Sequence, residues 1–381
     1  MKRFYAALLI AIFVIALWLP IIQMVFRFIE EPPNTENRPL AAFPIFKSFS
    51  YTDIREFKRG FDTYFNDNLG FRRLFIKWNS LLKVRILKMS SIESVIIGRD
   101  GWLFYNDPKD GINIRDFLGE ASFSGEQLKT IKTNLEQINE RLSKRGMLFL
   151  VVIAPNKQTI YPEYLPAKFQ NKSGISRIDQ LVPYLEQNSK ISFLDIRAEL
   201  SRNKVIYPVY QKTDTHWTSF GTFLVYMAII EKVSARFSNV PVLSMRDISI
   251  EKNTTYGRGD LAGMLCLPGL FEEHVIDVRP RDGFKARDLS ESYSHKFSES
   301  IEFREVTGIK APRLLIFGDS FALELVKFLS ESFSRTVFFR TRIIDYDVID
   351  KERPDVVIFE ICERYTQELL KLNKINFDTR S

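Results

Sequence analysis

Histidine is scarce in this chain, with three in 381 residues, at positions 216, 274 and 295. Cysteine is scarcer: Cys266 and Cys362 stand without a C-x-x-C pair or a surrounding histidine cluster, which argues against structural zinc. Whether the two thiols pair or are unrelated buried groups stays open, because spacing does not show proximity. No run of five or more basic residues accounts for the net charge of +7. The excess therefore reads as solvated surface, compatible with an acidic polymer, and no nucleic-acid partner is expected. Nor does a second long apolar run follow the first, so a single membrane span is expected. What is abundant is apolar residue, 45% of the chain, enough for one large domain with an appendage or two modest domains.

After Met1-Lys2-Arg3 an apolar stretch runs from Phe4 to about Phe26, broken only by Pro20 and Gln23 and long enough to cross a bilayer as a helix. It lacks a small-x-small cleavage site, so residues 1–28 read as an uncleaved anchor rather than a signal peptide. Lys2 and Arg3 place the N-terminus in the cytoplasm and the rest of the chain outside, with no second span. Residues 29–50, rich in Pro and polar residues, read as a linker. Over 51–95, aromatic and aliphatic residues recur at helical spacing with a break at Asn68-Leu69-Gly70. Two helices packed on the body are expected there, with the aromatic stripe as core.

From 96 to 378 short apolar runs alternate with amphipathic helices. Strands are expected at Met147–Ala154, Ile191–Ile196, Arg313–Phe317, Thr336–Arg340 and Asp355–Phe359, and helices at Gly125–Lys144, Trp217–Phe237 and Phe321–Phe333. The alternation predicts an α/β fold with a parallel sheet covered on both faces. Residues 240–310, polar and irregular, look like an insertion over one end of the sheet.

The chemistry gathers at two places. Arg313-Leu-Leu-Ile-Phe-Gly-Asp-Ser-Phe-Ala322 sets Ser320 on a strand-to-helix turn, at the sheet edge where α/β enzymes keep their sites. The following helix offers backbone N–H groups to a developing oxyanion, although Ser320 as a plain N-cap fits the same motif. A serine hydroxyl needs a base. Of the three histidines, His216 in Asp214-Thr-His216-Trp217 has a carboxylate two residues before it, suited to holding one ring nitrogen and freeing the other for Ser320. Thr218 or Ser219 is suited to capping the next helix. His274 and His295 lack such a partner pattern and read as surface residues.

These two segments, in this order, resemble the alginate O-acetyltransferase AlgJ/AlgX family, an SGNH-hydrolase-like three-layer fold with circularly permuted connectivity. The Asp-x-His-Trp block precedes Ser320 by 104 residues, whereas in ordinary SGNH hydrolases the corresponding block follows the serine. Gly98-Arg-Asp-Gly-Trp-Leu-Phe-Tyr105, Ala154-Pro-Asn-Lys157, Tyr161-Pro-Glu-Tyr-Leu-Pro166, Gly259-Asp-Leu-Ala262 and Glu363-Arg-Tyr365 extend the resemblance over roughly residues 50–370. It implies Ser320 as the acyl-accepting nucleophile, His216 as base and then acid, and Asp214 as its orienter. Trp217, Arg340 and Tyr365 become candidate substrate contacts, with Arg364 an alternative bearer of the family's active-site arginine. Beyond the Ser320 N–H the oxyanion hole stays unassigned. The resemblance further implies a membrane-anchored O-acetyltransferase acting on an extracytoplasmic polysaccharide at the bacterial inner membrane. No cofactor would be bound, and the acetyl group would come from acetyl-CoA through an MBOAT-type membrane acyltransferase. An acetylesterase using the same three residues, or an inactive glycan-binding or assembly protein, are the alternatives.

Overall fold

A computed structural model of the chain describes residues 2–31, 39–106, 113–257, 259–291 and 301–372. Five parallel strands make the body of its central sheet, and the inner ones are near-continuous apolar runs, as strands buried on both faces require. The five are β3 (Leu148–Ala154), β4 (Ser192–Asp195), β9 (Arg313–Phe317), β10 (Arg335–Phe339) and β11 (Val356–Cys362), parallel in the order β4-β3-β11-β9-β10. Side chains alternate between two cores. Leu150, Val152, Leu314, Ile316, Phe338 and Ile358 face one, while Val151, Ile153, Leu315, Phe317, Val337 and Phe359 face the other. The first core is covered by the Ser219–Ser234 and Ser320–Leu329 helices, which pack on each other, and the second by the Gly125–Ser143 and Arg177–Asn188 helices. The result is the expected three-layer α/β arrangement.

The stretch 240–310 departs from its expected role. Part of it is a two-stranded antiparallel hairpin, β5 (Ile248–Tyr256) with β6 (Glu272–Pro280). Two further short strands extend the central sheet: β8 (Ile301–Glu305) pairs antiparallel with β10, and β7 (Arg287–Asp288) with β8. The sheet is therefore mixed, with an antiparallel edge. β8 alternates buried Ile301 and Phe303 with polar residues, a pattern that suits an edge strand with one covered face. His295 lies outside the described residues.

A further correction concerns the N-terminal quarter. Helix α1 (Lys2–Phe26) includes an apolar stretch, Phe4–Phe26, long enough to cross a membrane. Helices α2 (Tyr51–Asn68) and α3 (Arg72–Leu82) form as expected, with Ser50 capping α2 by accepting from the Asp53 N–H. Their aromatic residues, however, are not core. Phe49, Tyr51, Ile54, Phe61, Phe75, Trp78 and Leu82 are all exposed. Among the described residues the end of the segment joins the body's apolar core, where Val84 and the partly buried Leu81 and Ile92 meet Val95 and Leu103 of β1 (Val95–Ile97) and β2 (Leu103–Tyr105).

Candidate active site

At the C-terminal edge of the parallel strands, the turn after β9 is built by four constraints. Gly318 donates to the Phe339 carbonyl, and a Cβ at this position would stand 2.8 Å from Glu360 Oε2 and 3.0 Å from the Ala322 Cβ, so the strand must end in glycine. Asp319 is the N-cap: its Oδ1 accepts from the Phe321 N–H at 3.0 Å, and its Oδ2 accepts from Cys362 N–H at 3.0 Å, tying the turn to the end of β11. Asp319 N–H donates to Glu360 Oε2 at 3.0 Å. Ser320 is thus the first helical residue, and capping falls to its neighbour. Glu360 lies wholly buried within β11, where burial pushes its carboxyl well above the usual range and keeps it neutral. Its Oε1 has no hydrogen-bond partner.

The histidine side has no regular element beneath it. Residues 211–216 form a loop closed by the Gln211 N–H to His216 carbonyl bond and a Tyr210–Trp217 bridge. Two acids, buried Glu273 and half-buried Asp260, hold it in place. Glu273 on β6 accepts from the Lys212 and Thr213 N–H groups and from the Thr213 hydroxyl. Asp260 accepts from Thr215 N–H at 2.8 Å and the Thr215 hydroxyl at 2.5 Å, and its own N–H donates to Asp214 Oδ2 at 2.9 Å. Lys157, fully buried, donates to the Leu103 carbonyl at 2.6 Å and the Lys212 carbonyl at 3.3 Å. Burial lowers its pKa to about 8, against the pull of Asp214, Asp260 and Glu273.

These two constructions meet. Ser320 Oγ stands 2.8 Å from His216 Nε2, and His216 Nδ1 stands 2.6 Å from Asp214 Oδ1, which also accepts the His216 N–H at 3.0 Å. His216 and Asp214 retain 24% and 17% side-chain exposure, enough for a substrate to reach the imidazole. Burial alone would raise the Asp214 carboxyl, but the His216 hydrogen bond and charge, with the Asp260 and His216 N–H groups, bring it down to about 2. It is therefore ionised at neutral pH, as an orienter of an imidazolium must be. Asp214, His216 and Asp260 bring potential metal-ligand atoms within 4.8 Å of one another, but these groups already bond within the protein, to one another and to Ser320 and Thr215.

The other candidates divide. Trp217 is 1% exposed and packs edge-on against Phe321 at 4.9 Å, beneath the His216 ring; the expected substrate contact is replaced by a packing role. Arg340 follows β10 at the same edge and is exposed. Tyr365 is half-buried, between the guanidinium of Arg342 at 4.0 Å and that of Arg364 at 5.0 Å. The arginine that packs on the Ser320–Leu329 helix is Arg364, 5.5 Å from the Phe321 ring, with its Nε buried and unpartnered. Burial opposes its charge, yet Cys362, Tyr365 and Asp319 more than offset this and hold it cationic. Thr218 caps the helix after the loop, accepting from Gly221 N–H at 3.1 Å. His274 is exposed, as expected, and Cys362, buried beside Asn156, is not bonded to Cys266. Residue chemistry alone missed the roles of Asp260, Glu273, Lys157 and Glu360. The signals were present: Asp260 and Lys157 lie in two of the shared motifs, and Glu360 interrupts an otherwise apolar strand.

A mostly parallel sheet carrying a serine at a strand-to-helix turn, with an Asp-x-His block earlier in the chain, defines an SGNH-hydrolase-like domain. Residues 95–342 match the family model described as "SGNH hydrolase-like domain, acetyltransferase AlgX", and the chain belongs to that family. It is 28% identical over 177 residues to the probable alginate O-acetylase AlgJ of Pseudomonas putida, covering 46% of this chain and 43% of that one. To its namesake in Pseudomonas aeruginosa it is 26% identical over 180 residues, covering 47% and 43%. The chain thus spans less than half the length of these curated relatives. In fold it resembles Bacillus cereus PatB1, with a TM-score of 0.56 at 17% identity, over 73% of this chain and 99% of that structure.

Proposed function

We propose that this protein is a membrane-anchored O-acetyltransferase that moves acetyl groups to hydroxyls of an extracytoplasmic polysaccharide through an acetyl-Ser320 intermediate. The observation that carries the reading is the continuous hydrogen-bonded line from Asp214 through His216 to Ser320 Oγ. In the first half-reaction Ser320 Oγ attacks the acetyl carbonyl while its proton passes to His216 Nε2, and Asp214 stabilises the imidazolium. Collapse of the tetrahedral species returns that proton to the departing group. In the second, a sugar hydroxyl gives its proton to His216 and attacks the acetyl-serine, and Ser320 leaves with the proton. The Ser320 N–H, at the positive end of its helix, is suited to receive the oxyanion.

Acetyl transfer to a polysaccharide is supported by family membership and by relatives named as alginate O-acetylases. The Phe4–Phe26 helix supports anchoring in the inner membrane with the domain outside, and an MBOAT-type partner drawing on acetyl-CoA completes the proposal. The test is a strain carrying Ser320→Ala, in which the acetyl content of the secreted polysaccharide is measured. Loss of acetylation is the expected result. Excess acetylation would identify an esterase instead, and unchanged acetylation would refute both.

A further inference from the structure

Helix α3 carries an apolar face that is exposed among the described residues. Phe75 is 60%, Trp78 65% and Leu82 54% exposed. At about 100° per residue these three positions fall within roughly 60° of one another, so they form one stripe. Ser80 and Val84, on the far side of the helical turn, are the buried positions that face the body. The stripe continues past the helix through exposed Ile86, Leu87 and Met89.

Charge along this segment has one sign. Between residues 72 and 88 lie Arg72, Arg73, Lys77, Lys83, Arg85 and Lys88, and no acidic residue. Arg72 and Lys83 flank the stripe on one side by the same helical geometry, with Arg85 toward the other. An apolar stripe bearing Phe and Trp and bordered by Lys and Arg is the pattern of a helix that lies in a membrane interface.

The position of α3 relative to α1 makes this more than a pattern. Gly70, between α2 and α3, touches the end of the apolar helix so closely that a Cβ there would overlap the Pro20 carbonyl and the Gln23 side chain. Phe28, just past α1, stacks edge-on with Phe71 at 6.0 Å. Glu31 accepts from Phe71 N–H at 2.6 Å and pairs with Arg73 at 3.2 Å. The start of α3 is therefore fixed at the level where the apolar helix ends, which is the headgroup level if that helix spans.

We infer that α3 is an interfacial helix that inserts Phe75, Trp78 and Leu82 among the lipids and sets its basic border against anionic headgroups, seating the domain on the bilayer beside its anchor. The inference rests on α1 being the anchor. A protein partner is the competing occupant; Arg73 is paired with Glu31, but Lys77, Lys83, Arg85 and Lys88 follow with no acidic residue in the segment, which favours the anionic lipid surface.

The four tryptophans allow a test on the full chain in lipid nanodiscs. Trp102 and Trp217 are buried, Trp18 lies in α1 and Trp78 in α3. The spectrum of Trp18→Phe minus that of Trp18→Phe/Trp78→Phe isolates Trp78, and the reverse pair isolates Trp18. The expected result is a blue-shifted Trp78 signal, most of it lost when the lipids carry bromine high on the acyl chain and little of it lost to aqueous acrylamide. Adding phosphatidylglycerol to phosphatidylcholine discs should deepen this quenching, and Lys77→Gln/Lys83→Gln/Arg85→Gln should abolish the gain. Trp78 emitting as in water and quenched only by acrylamide overturns the inference, as does a Trp78 shielded from both quenchers, which would point to a protein contact. A gain that survives the triple substitution overturns the headgroup assignment. Trp18 separates the two readings: if bromine near the chain ends quenches Trp18 while Trp78 stays in water, the anchor stands and only the interfacial helix falls.

Discussion

The two halves of the site reach the same point by different means. On the serine side a regular strand ends at Phe317, Gly318 and Asp319 make the turn, and a regular helix begins at Ser320, so secondary structure aims the hydroxyl. On the histidine side a six-residue loop is aimed by side chains: Asp260 and Glu273 collect its N–H and hydroxyl groups, and Lys157 binds its carbonyl. Each half also contains a buried carboxyl, and the two are held in opposite states. Asp214 is kept ionised by His216 and two backbone N–H groups, whereas Glu360, with one N–H and an unpartnered oxygen, is kept neutral. What separates them is burial, complete for Glu360 and partial for Asp214, together with the neighbouring charge: His216 and its hydrogen bond favour the Asp214 anion, whereas Asp319 opposes a second anion at Glu360.

If this contrast is right, substitutions on the two sides should differ in kind. Ser320→Ala removes the nucleophile and should abolish acetyl transfer with the fold intact, read by acetyl content and by unfolding temperature. Asp214→Asn removes the charge that holds the ring and its tautomer, and a loss of about 10⁴-fold in kcat is expected. A loss of less than about tenfold would show that the carboxylate's charge is not used, and the contrast with Glu360 would collapse.

The serine side was legible because its signals are local. Arg313–Phe317 is an apolar run, Gly318-Asp319 a turn and the following residues an amphipathic helix; the strand was placed as it stands and the helix start within a residue. The pairing of His216 with Asp214 was legible for the same reason, being two residues apart. What holds their loop was not, because Asp260, Glu273 and Lys157 lie some 45 to 60 residues away from it and only the folded chain brings them together. The helical stripe of 57–82 misled for a related reason. Spacing reports that one face of a helix is apolar and says nothing of what covers it: Phe321 and Phe328 in the Ser320–Leu329 helix are buried, while Phe75 and Trp78 at like spacing are exposed. The antiparallel edge was missed because β7 and β8 are short and half polar.

Asp260→Asn tests whether the loop is aimed by side chains. The amide keeps the volume but offers one acceptor oxygen where Asp260 uses two, so either the Thr215 N–H or its hydroxyl loses its partner. The expected loss is about 10- to 100-fold in kcat with KM little changed, by analogy with residues that orient a ligating or catalytic histidine. Asp260→Ala should be worse than Asp260→Asn. Equal losses would mean that Asp260 acts through bulk packing alone.

The smallest effect on activity is expected at Glu360→Gln, because glutamine imitates the neutral acid already present. Its signature is in stability against pH. An acid whose folded pKa is raised holds its proton in the native state after the unfolded chain has released it. The stability is then complete below the ordinary glutamate value of 4.5 and is lost as pH rises toward the raised native value. Urea unfolding of wild type and Glu360→Gln in detergent at pH 5 and pH 8 should show the wild type losing more stability over the interval, with the variant flatter and at least as stable at pH 8. A wild type that gains stability relative to the variant as pH rises would mean that Glu360 is ionised in the native state, and that both sides of the site are organised around buried charge.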